Sequence, residues 1–282
     1  MIPSVFTYKK AGSVSEALQL KAENEDSKFL AGGHSLIPTM KLRLSSPSVL
    51  IDISKIDTLR SITEEGNQIV IGSLVTHAEI VNSDVIKTKV AIMSEGASMI
   101  GDVQVRNCGT IGGSIAHADP AADWPAILKT VEATVVIEGE SGKREVNVED
   151  FFQGVFTTDL TEDEIITAIK VPVPASGTKG TYQKFMQPAS RFAIVGCAAM
   201  LTISNGVCQK ARVTIGGAAS TSFRDLGVEK ALEGKELNAQ NIENASKIAG
   251  NGVQMTSSHF ATNSYRQHLT KVYTQRALES LI

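Results

Sequence analysis

Residues 30–41 read LAGGHSLIPTMK and decide how the first part of the chain folds. An apolar, strand-like segment ends in Gly32-Gly33, and a polar His-Ser pair and a helix-like stretch follow. In α/β architectures a nucleotide binds where a strand ends. Backbone N–H groups at a helix start can receive a diphosphate without a lysine. We therefore predict a strand, a glycine turn, and a helix capped by Ser35.

A second stretch of the same kind follows about eighty residues later, where residues 110–114 read TIGGS. We predict that the two glycine turns face each other and hold the diphosphate of one nucleotide cofactor. A single Gly-Gly turn is weak evidence, but two of them, each with a hydroxyl residue and a helical stretch, are stronger. They do not name the cofactor. The sequence contains neither a Walker phosphate-binding motif nor a strand followed by G-x-G-x-x-G, so neither a Walker NTPase nor a Rossmann enzyme is indicated.

The composition is that of an ordinary globular protein. Of 282 residues, 42% are hydrophobic and 20% charged, and the net charge of −3 gives no electrostatic reason to expect nucleic acid or an anionic membrane as partner. Three cysteines (108, 197 and 208) form no C-x-x-C pair, and such sparse use favours a cytoplasmic protein. The longest uncharged run, 192–209, contains the hairpin signal Ser204-Asn205-Gly206, so we predict two strands there and no integral membrane segment.

The order of patterns along the chain suggests three parts with boundaries at 1–55, 56–175 and 176–282. The first contains strands at 6–8, 28–31 and 49–53 with a helix after the capping-box sequence at 13–16. The second contains hairpins at 59–73 and 133–148, a helix after a capping box at 76–79, and an alternating strand at 165–171. The third has strand patterns at 180–186, 194–203 and 207–216 and helical patterns at 226–232, 238–250 and 263–281. We predict for it an α+β module of three antiparallel strands and packed helices.

Polar residues after the second glycine pair allow more than one interpretation. His117, Asp119 and Asp123 could be metal ligands, but no further cluster completes a site, so no metal is predicted. Asp123 is placed to cap the next helix, or to accept hydrogen bonds from the hydroxyls of a ribityl or ribose group. The remaining histidines, including His77, are interpreted as surface or helix-face residues. Lys184, taken alone, would be a solvated edge charge, and no acid–base pair is legible.

Four segments together carry a specific resemblance: AGGHSLIPTMKLRL at 31–44, TIGGSIAHADPAADWPA at 110–126, DFFQGVFTT at 150–158, and the segment 163–174. The chain resembles, over its whole length, the flavoprotein (medium) subunit of carbon monoxide dehydrogenases and related molybdenum hydroxylases of the xanthine dehydrogenase type. The resemblance implies an α+β fold: a two-subdomain FAD-binding fold similar to vanillyl-alcohol oxidases and MurB-type reductases, followed by the C-terminal module.

The resemblance also implies cofactor contacts, with FAD as the cofactor. The first loop would hold the diphosphate and adenosine part, with these residues: Leu30, Ala31, Gly32, Gly33, His34, Ser35 and Leu36. Thr110, Gly113 and Ser114 would form the second half of the cradle. Five further positions match cofactor contacts, namely Ile100 at the ring, Asp123 at the sugar-like hydroxyls, Ile166 at the adenine or ring edge, Lys184 near the pyrimidine end, and Phe192 beside the ring. Two positions depart from the pattern, because the carbon monoxide enzymes carry a tyrosine at the position of Phe192 and many relatives an Asn or Asp at that of Ser114.

The function that the resemblance implies is electron transfer within a complex. An iron–sulfur small subunit would deliver electrons from a molybdopterin-containing large subunit, and the FAD of this chain would pass them to an external acceptor. The assembly would be a dimer of heterotrimers, and no catalytic residue is expected in this chain. Two alternatives stay open at this stage: a stand-alone FAD oxidoreductase of the same fold, and an assembly subunit that has lost its flavin.

Overall fold

A computed structural model describes residues 1–282. The first part is a small α/β unit whose elements are β1 (Thr7–Lys10), α1 (Val14–Ala22), β2 (Ser27–Leu30), α2 (Leu36–Lys41) and β3 (Val49–Asp52). Its three strands form a parallel sheet in the order β1-β3-β2. All four residues of β3 are buried, as expected for the central strand of a parallel sheet. The predicted strand–turn–helix at the first glycine pair is thus confirmed, with β2 ending at Leu30.

The second part surrounds a five-stranded sheet with helices. Its elements are β4 (Ile62–Glu65), β5 (Gln68–Gly72), α3 (His77–Asn82), α4 (Asp84–Lys89), α5 (Ala91–Ser98), α6 (Val103–Cys108), α7 (Ile111–His117), α8 (Trp124–Thr130), β6 (Thr134–Gly139), β7 (Gly142–Asn147), α9 (Val148–Phe151), β8 (Phe152–Gly154), β9 (Thr157–Thr158) and β10 (Ile165–Pro172). The sheet order is β4-β5-β10-β6-β7, all antiparallel, and β8 pairs with β9. The predicted capping box at Thr76 and Glu79 is present and begins α3.

The third part is the predicted α+β module. It contains β11 (Thr178–Met186), β12 (Ala193–Ser204), β13 (Val207–Gly216), β14 (Phe223–Arg224), α10 (Leu226–Leu232), α11 (Ala239–Lys247) and α12 (Asn263–Glu279). The predicted hairpin joins β12 to β13, and Asn205 and Gly206 have φ angles of 51° and 76°, as a type I′ turn requires. The sheet has four strands where three were predicted, because the two residues of β14 are too few to show a pattern.

The chain has three hydrophobic clusters, and those centred in the first and second parts reach the lining of one cavity. The cluster of the first part also contains Leu59, Leu74 and Ile165, so its packing crosses the predicted boundary at residue 55. The division into the three ranges 1–55, 56–175 and 176–282 therefore stays a prediction. No helix of the chain has both the length and the apolar character needed to cross a lipid bilayer.

Candidate cofactor-binding site

Both glycine stretches line one cavity of about 530 Å³. This volume falls within the roughly 300–1,000 Å³ that is typical of sites for small ligands and cofactors. The cavity lies where β2 ends, beside the start of α7 and α8. Sites at the carboxyl end of strands in a parallel sheet are the rule in α/β units, so the cavity is where the sequence predicts the cofactor.

The first glycine stretch offers a row of unused backbone donors. None of the N–H groups of residues 31–35 donates to a protein acceptor. Gly33 has a φ angle of 72°, which turns the chain, and the ring of His34 holds the turn through a 2.8 Å hydrogen bond between its Nδ1 and the carbonyl oxygen of Gly32. Successive free N–H groups around such a turn form a concave anion site. This segment therefore fits a diphosphate.

The prediction that Ser35 caps α2 is wrong. The side chain of Ser35 makes no capping hydrogen bond, and its backbone is already in the helical region. The N–H groups that a cap satisfies would here belong to Ile37, which already donates to the carbonyl oxygen of Gly33, and to Pro38, which has none. The free donors of residues 31–35 therefore do not depend on the missing cap.

The second glycine stretch differs from the prediction, because it is the first turn of helix α7 and not a separate loop. Thr110 caps this helix by accepting from the N–H of Gly113 at 3.1 Å, and the N–H groups of Ile111, Gly112 and Ser114 also have protein acceptors. The N–H of Thr110 is therefore the one backbone donor of this stretch that has no protein acceptor. The stretch also contributes the hydroxyls of Thr110 and Ser114 and a surface without side chains.

Close backbone packing brings the two stretches face to face, as predicted. A Cβ at Gly32 would lie 2.0 Å from the carbonyl oxygen of Cys108 and 3.0 Å from the Cα of Gly109. A Cβ at Gly113 would lie 3.8 Å from the Cβ of Ala31, on the other side of the gap. Gly32 is thus required for the packing of the two segments, whereas Gly113 lies opposite the free donors.

The other side of the cavity is apolar. Ile100, Ile166 and Phe192 all line it, as the resemblance implied. Ile166 is buried in β10, whereas Phe192 is 45% exposed and follows the loop that leads into β12. Apolar walls opposite a polar turn suit a ligand with a planar aromatic ring at one end and a phosphate group at the other.

A buried ion pair supports this wall from behind. The Nζ of Lys184 donates to the Oδ2 of Asp123 at 2.8 Å and to the carbonyl oxygens of Met99 and Arg191 at 2.9 and 2.8 Å. The hydroxyl of Tyr182 donates to the other carboxylate oxygen at 2.5 Å. Burial raises the pKa of Asp123, and the ammonium group opposes that increase. Lys184 therefore ties α8 to the two segments that carry Ile100 and Phe192.

This arrangement corrects two expectations. Lys184 is not a solvated edge charge, since its side chain is 0% exposed and it does not line the cavity. Asp123 makes no capping hydrogen bond to α8, because its carboxylate faces Lys184 and Tyr182 instead. Asp123 still lines the cavity, and each of its oxygens can accept a further hydrogen bond.

Most of the predicted site residues come together. The cavity is lined by Ala31, Gly32, Gly33, His34, Ser35, Leu36, Ile100, Thr110, Gly113, Ser114, Asp123, Ile166 and Phe192. Leu30 and Lys184 lie behind the lining, and Leu30 packs under the turn, its Cδ1 3.3 Å from where a Cβ at Gly33 would be. Sequence reasoning assigned His77 to the surface or to a helix face; it is the first residue of α3, but it is only 4% exposed and lines the cavity, a role that was missed. The one sequence signal for His77 was its position directly after Thr76, the residue that caps α3.

Several titratable groups of the lining already contact other residues of the protein. Glu164 pairs with Arg144 at 2.6 Å, and the hydrogen bond from Arg144 lowers the pKa of Glu164 to about 2. His117 stacks on Phe156 with ring centroids 5.0 Å apart, and Asp119 accepts from the N–H of Ala121. His117, Asp119 and Asp123, which were considered as metal ligands, thus each contact another residue of the protein, Asp123 through its ion pair with Lys184.

Two family models cover nearly the whole chain. One, described as the FAD binding domain in molybdopterin dehydrogenase, matches residues 4–174, and the other, described as the CO dehydrogenase flavoprotein C-terminal domain, matches residues 180–281. The chain belongs to the FAD-binding subunits of the molybdopterin dehydrogenases. The resemblance, the fold class and FAD as the cofactor are thereby confirmed.

Named relatives of this family match most or all of the chain. The chain is 36% identical over 281 residues to the glyceraldehyde dehydrogenase medium chain of Sulfolobus acidocaldarius, covering 100% of both. It is 40% identical over 250 residues to the carbon monoxide dehydrogenase medium chain of Hydrogenophaga pseudoflava, covering 88% of this chain and 87% of that one. The solved carbon monoxide dehydrogenase of Hydrogenophaga pseudoflava superimposes with a TM-score of 0.96 at 38% identity, covering 100% of this chain and 98% of that chain. Like these relatives, the chain is a medium subunit of a molybdenum hydroxylase-type oxidoreductase.

Proposed function

We propose that this FAD-binding subunit is the electron-transfer subunit of a molybdenum hydroxylase complex. It takes electrons from an iron–sulfur subunit and passes them to an external acceptor. FAD supplies the redox chemistry, since a flavin can exchange electrons with both one- and two-electron partners. The residues of the chain bind and orient the cofactor and exclude water from part of it.

The observation that carries this proposal is a cavity built for a dinucleotide, with a row of free backbone donors at one end and apolar walls at the other. Oxidation of an organic substrate at the flavin itself would require a group positioned to take the substrate's proton. Here two carboxylates of the lining, Asp123 and Glu164, are paired with Lys184 and Arg144. A site that only exchanges electrons needs no such group.

Each part of the cavity has a proposed role in binding FAD. The free N–H groups of residues 31–35 bind the diphosphate, and the hydroxyls of Thr110 and Ser114 complete its surroundings. Ile100, Ile166 and Phe192 contact the flavin or adenine rings. Asp123 accepts from a hydroxyl of the cofactor while it holds Lys184, which acts on the ring only through its neighbours.

The partners are proposed from the relatives. Two of these are named as medium chains, which is consistent with a complex of this chain, an iron–sulfur small subunit and a molybdopterin-containing large subunit, arranged as a dimer of heterotrimers. Phe156 and Phe192 are 56% and 45% exposed, one stacked on a cavity residue and the other lining the cavity. Large exposed apolar side chains at such a place are typical of a protein interface. Three free cysteines are compatible with the reducing cytoplasm as the compartment.

Co-purification from the native source tests the proposal. We expect the chain to carry flavin absorbance, to elute with two companion subunits, and to show flavin reduction by an organic substrate only in the complete assembly. Turnover of an organic substrate by the isolated chain would instead support a stand-alone oxidoreductase. A colourless chain within an active complex would support an assembly subunit without flavin.

A further inference from the structure

The orientation of the buried His77 ring is fixed by its neighbour Trp124. The indole Nε1–H of Trp124 donates to the Nδ1 of His77 at 3.1 Å. Because an indole nitrogen can only donate, Nδ1 must carry its lone pair in this contact. The neutral ring therefore has its proton on Nε2. His77 is thus the Nε2–H tautomer, although it lies at the first position of α3 with only 4% exposure.

The ring stays neutral near physiological pH. Burial, together with smaller contributions from His34 and Arg106, lowers the pKa of His77 to about 4. A second proton would have to sit on Nδ1, where it would face the indole N–H of Trp124. The contact with Trp124 thus selects a neutral donor and not an imidazolium cation.

The Nε2–H group has no acceptor within the protein, and it is not sealed in the core. His77 lines the cavity, and its Nε2 makes no hydrogen bond to any residue. The edge of the ring that carries Nε2 faces Gly109, where a Cβ would lie 2.9 Å from this nitrogen and 3.0 Å from the carbonyl oxygen of Val105. Gly109 has φ and ψ angles of −62° and 135°, which any residue adopts, so its backbone conformation does not require glycine. Its missing side chain leaves the donor uncovered.

The uncovered donor lies next to the row of free N–H groups. Gly32 packs onto Gly109 at a distance that leaves no room for a side chain, since a Cβ at Gly32 would lie 3.0 Å from the Cα of Gly109. The Nε2–H of His77 therefore lies on the side of Gly109, the residue against which Gly32 of the segment 31–35 packs. A buried donor without a partner beside an anion site is a candidate for binding the same anion.

We propose that His77 is a cofactor-binding residue whose Nε2–H donates to an oxygen of the FAD diphosphate. This inference rests on the proposed binding of the diphosphate by residues 31–35. Trp124 is then a positioning residue, because it fixes the tautomer without contacting the cofactor. The ligand class that this donor recognises is a nucleoside diphosphate, and the flavin ring contributes nothing to the contact.

Affinity measurements on the full chain with three probes test the proposal. FAD and ADP both contain a diphosphate, whereas riboflavin has the ring without it. His77→Phe keeps an aromatic ring but removes the donor, and we expect FAD and ADP to bind about tenfold or more weakly while riboflavin is unaffected. His77→Gln, whose amide nitrogen can take the place of Nε2, should recover most of the loss. His259→Gln, at an exposed histidine, is the matched control and should bind all three like the wild type.

Unchanged FAD and ADP affinities in His77→Phe, or an equal loss for riboflavin, would overturn the proposal. Failure of the wild-type chain to bind FAD would instead overturn the binding role of residues 31–35 and this inference with it. If His77→Phe does not fold, nitrogen NMR of the wild-type ring decides. The proposal requires the Nε2–H tautomer and a change in the Nε2 shift when ADP is added. A proton on Nδ1, or no response to ADP, contradicts it.

Discussion

Replacing Lys184 with methionine should test how the chain supports the ring end of the cavity. The substitution keeps most of the apolar stem but removes the ammonium group and with it three hydrogen bonds, to Asp123, Met99 and Arg191. The stem itself is fully buried, so the remaining methionine fills nearly the same space. The change therefore isolates the charge.

The expected loss follows from the burial of the carboxylate left behind. Asp123 is 5% exposed and would keep only the hydroxyl of Tyr182 as a partner. Removing one member of a buried ion pair typically costs about 3–5 kcal/mol, a large share of the roughly 5–15 kcal/mol by which domains are stable. Asp123 can limit the loss by taking up a proton, because its pKa is raised by burial. The destabilisation should therefore grow as the pH rises above the unfolded-state pKa of an aspartate.

Urea unfolding of the full chain measures the effect. We expect Lys184→Met to lose about 3–5 kcal/mol at neutral pH and the double variant Asp123→Asn/Lys184→Met to lose less than the sum of the two single variants. Lys247→Met is the matched control, since the Lys247 side chain is 62% exposed in its pair with Glu243 and its loss should stay within about 0.5 kcal/mol. A loss below about 1 kcal/mol in Lys184→Met, or full additivity in the double variant, would refute the reasoning.

Three further predictions concern the glycine stretches and His77. Gly33→Val should abolish FAD retention, because Gly33 has a φ angle of 72° that a β-branched residue rarely adopts; flavin content and the melting curve check it, and full flavin content would contradict it. Gly112→Ala, whose Cβ would lie 2.7 Å from the carbonyl oxygen of Ser73, should lower the melting temperature more than Gly113→Ala does. Gly113→Ala should lower the flavin content more than Gly112→Ala does. The reverse order would show that Gly112 serves cofactor binding and Gly113 serves packing. Without FAD, the free energy of unfolding should fall by about 3 kcal/mol as the pH falls from 6.5 to about 4, because His77 takes up a proton in the unfolded state but stays neutral in the folded state. Urea unfolding at a series of pH values should show a weaker pH dependence of this free energy in His77→Gln. An equal pH dependence in the two proteins would reject the pKa shift.

Local patterns in the sequence predicted the elements that depend on neighbouring residues. The glycine pair at 32–33, the capping box at Thr76 and the hairpin at Asn205-Gly206 each need a backbone conformation that only a few residue types favour. These features therefore appear in the structure where the sequence placed them. The family resemblance added the cofactor, which the glycine stretches alone did not name.

Features that depend on contacts between distant residues could not be predicted in this way. Ser35 and Asp123 look like helix caps, yet Ser35 leaves its helix uncapped and Asp123 turns to Lys184, which lies 61 residues further along the chain. His77 looked like a surface residue because nothing local reveals its contact with Trp124, 47 residues away. The side chains that local rules misplace are those that line or support the cavity, as expected where function overrides local preference.

A crystal structure of the chain with FAD bound tests the central claim most directly. The account predicts diphosphate oxygens within about 3 Å of N–H groups of residues 31–35, with the flavin ring against Ile100 and Phe192. A diphosphate that lies away from this segment, or a flavin bound outside this cavity, would contradict it.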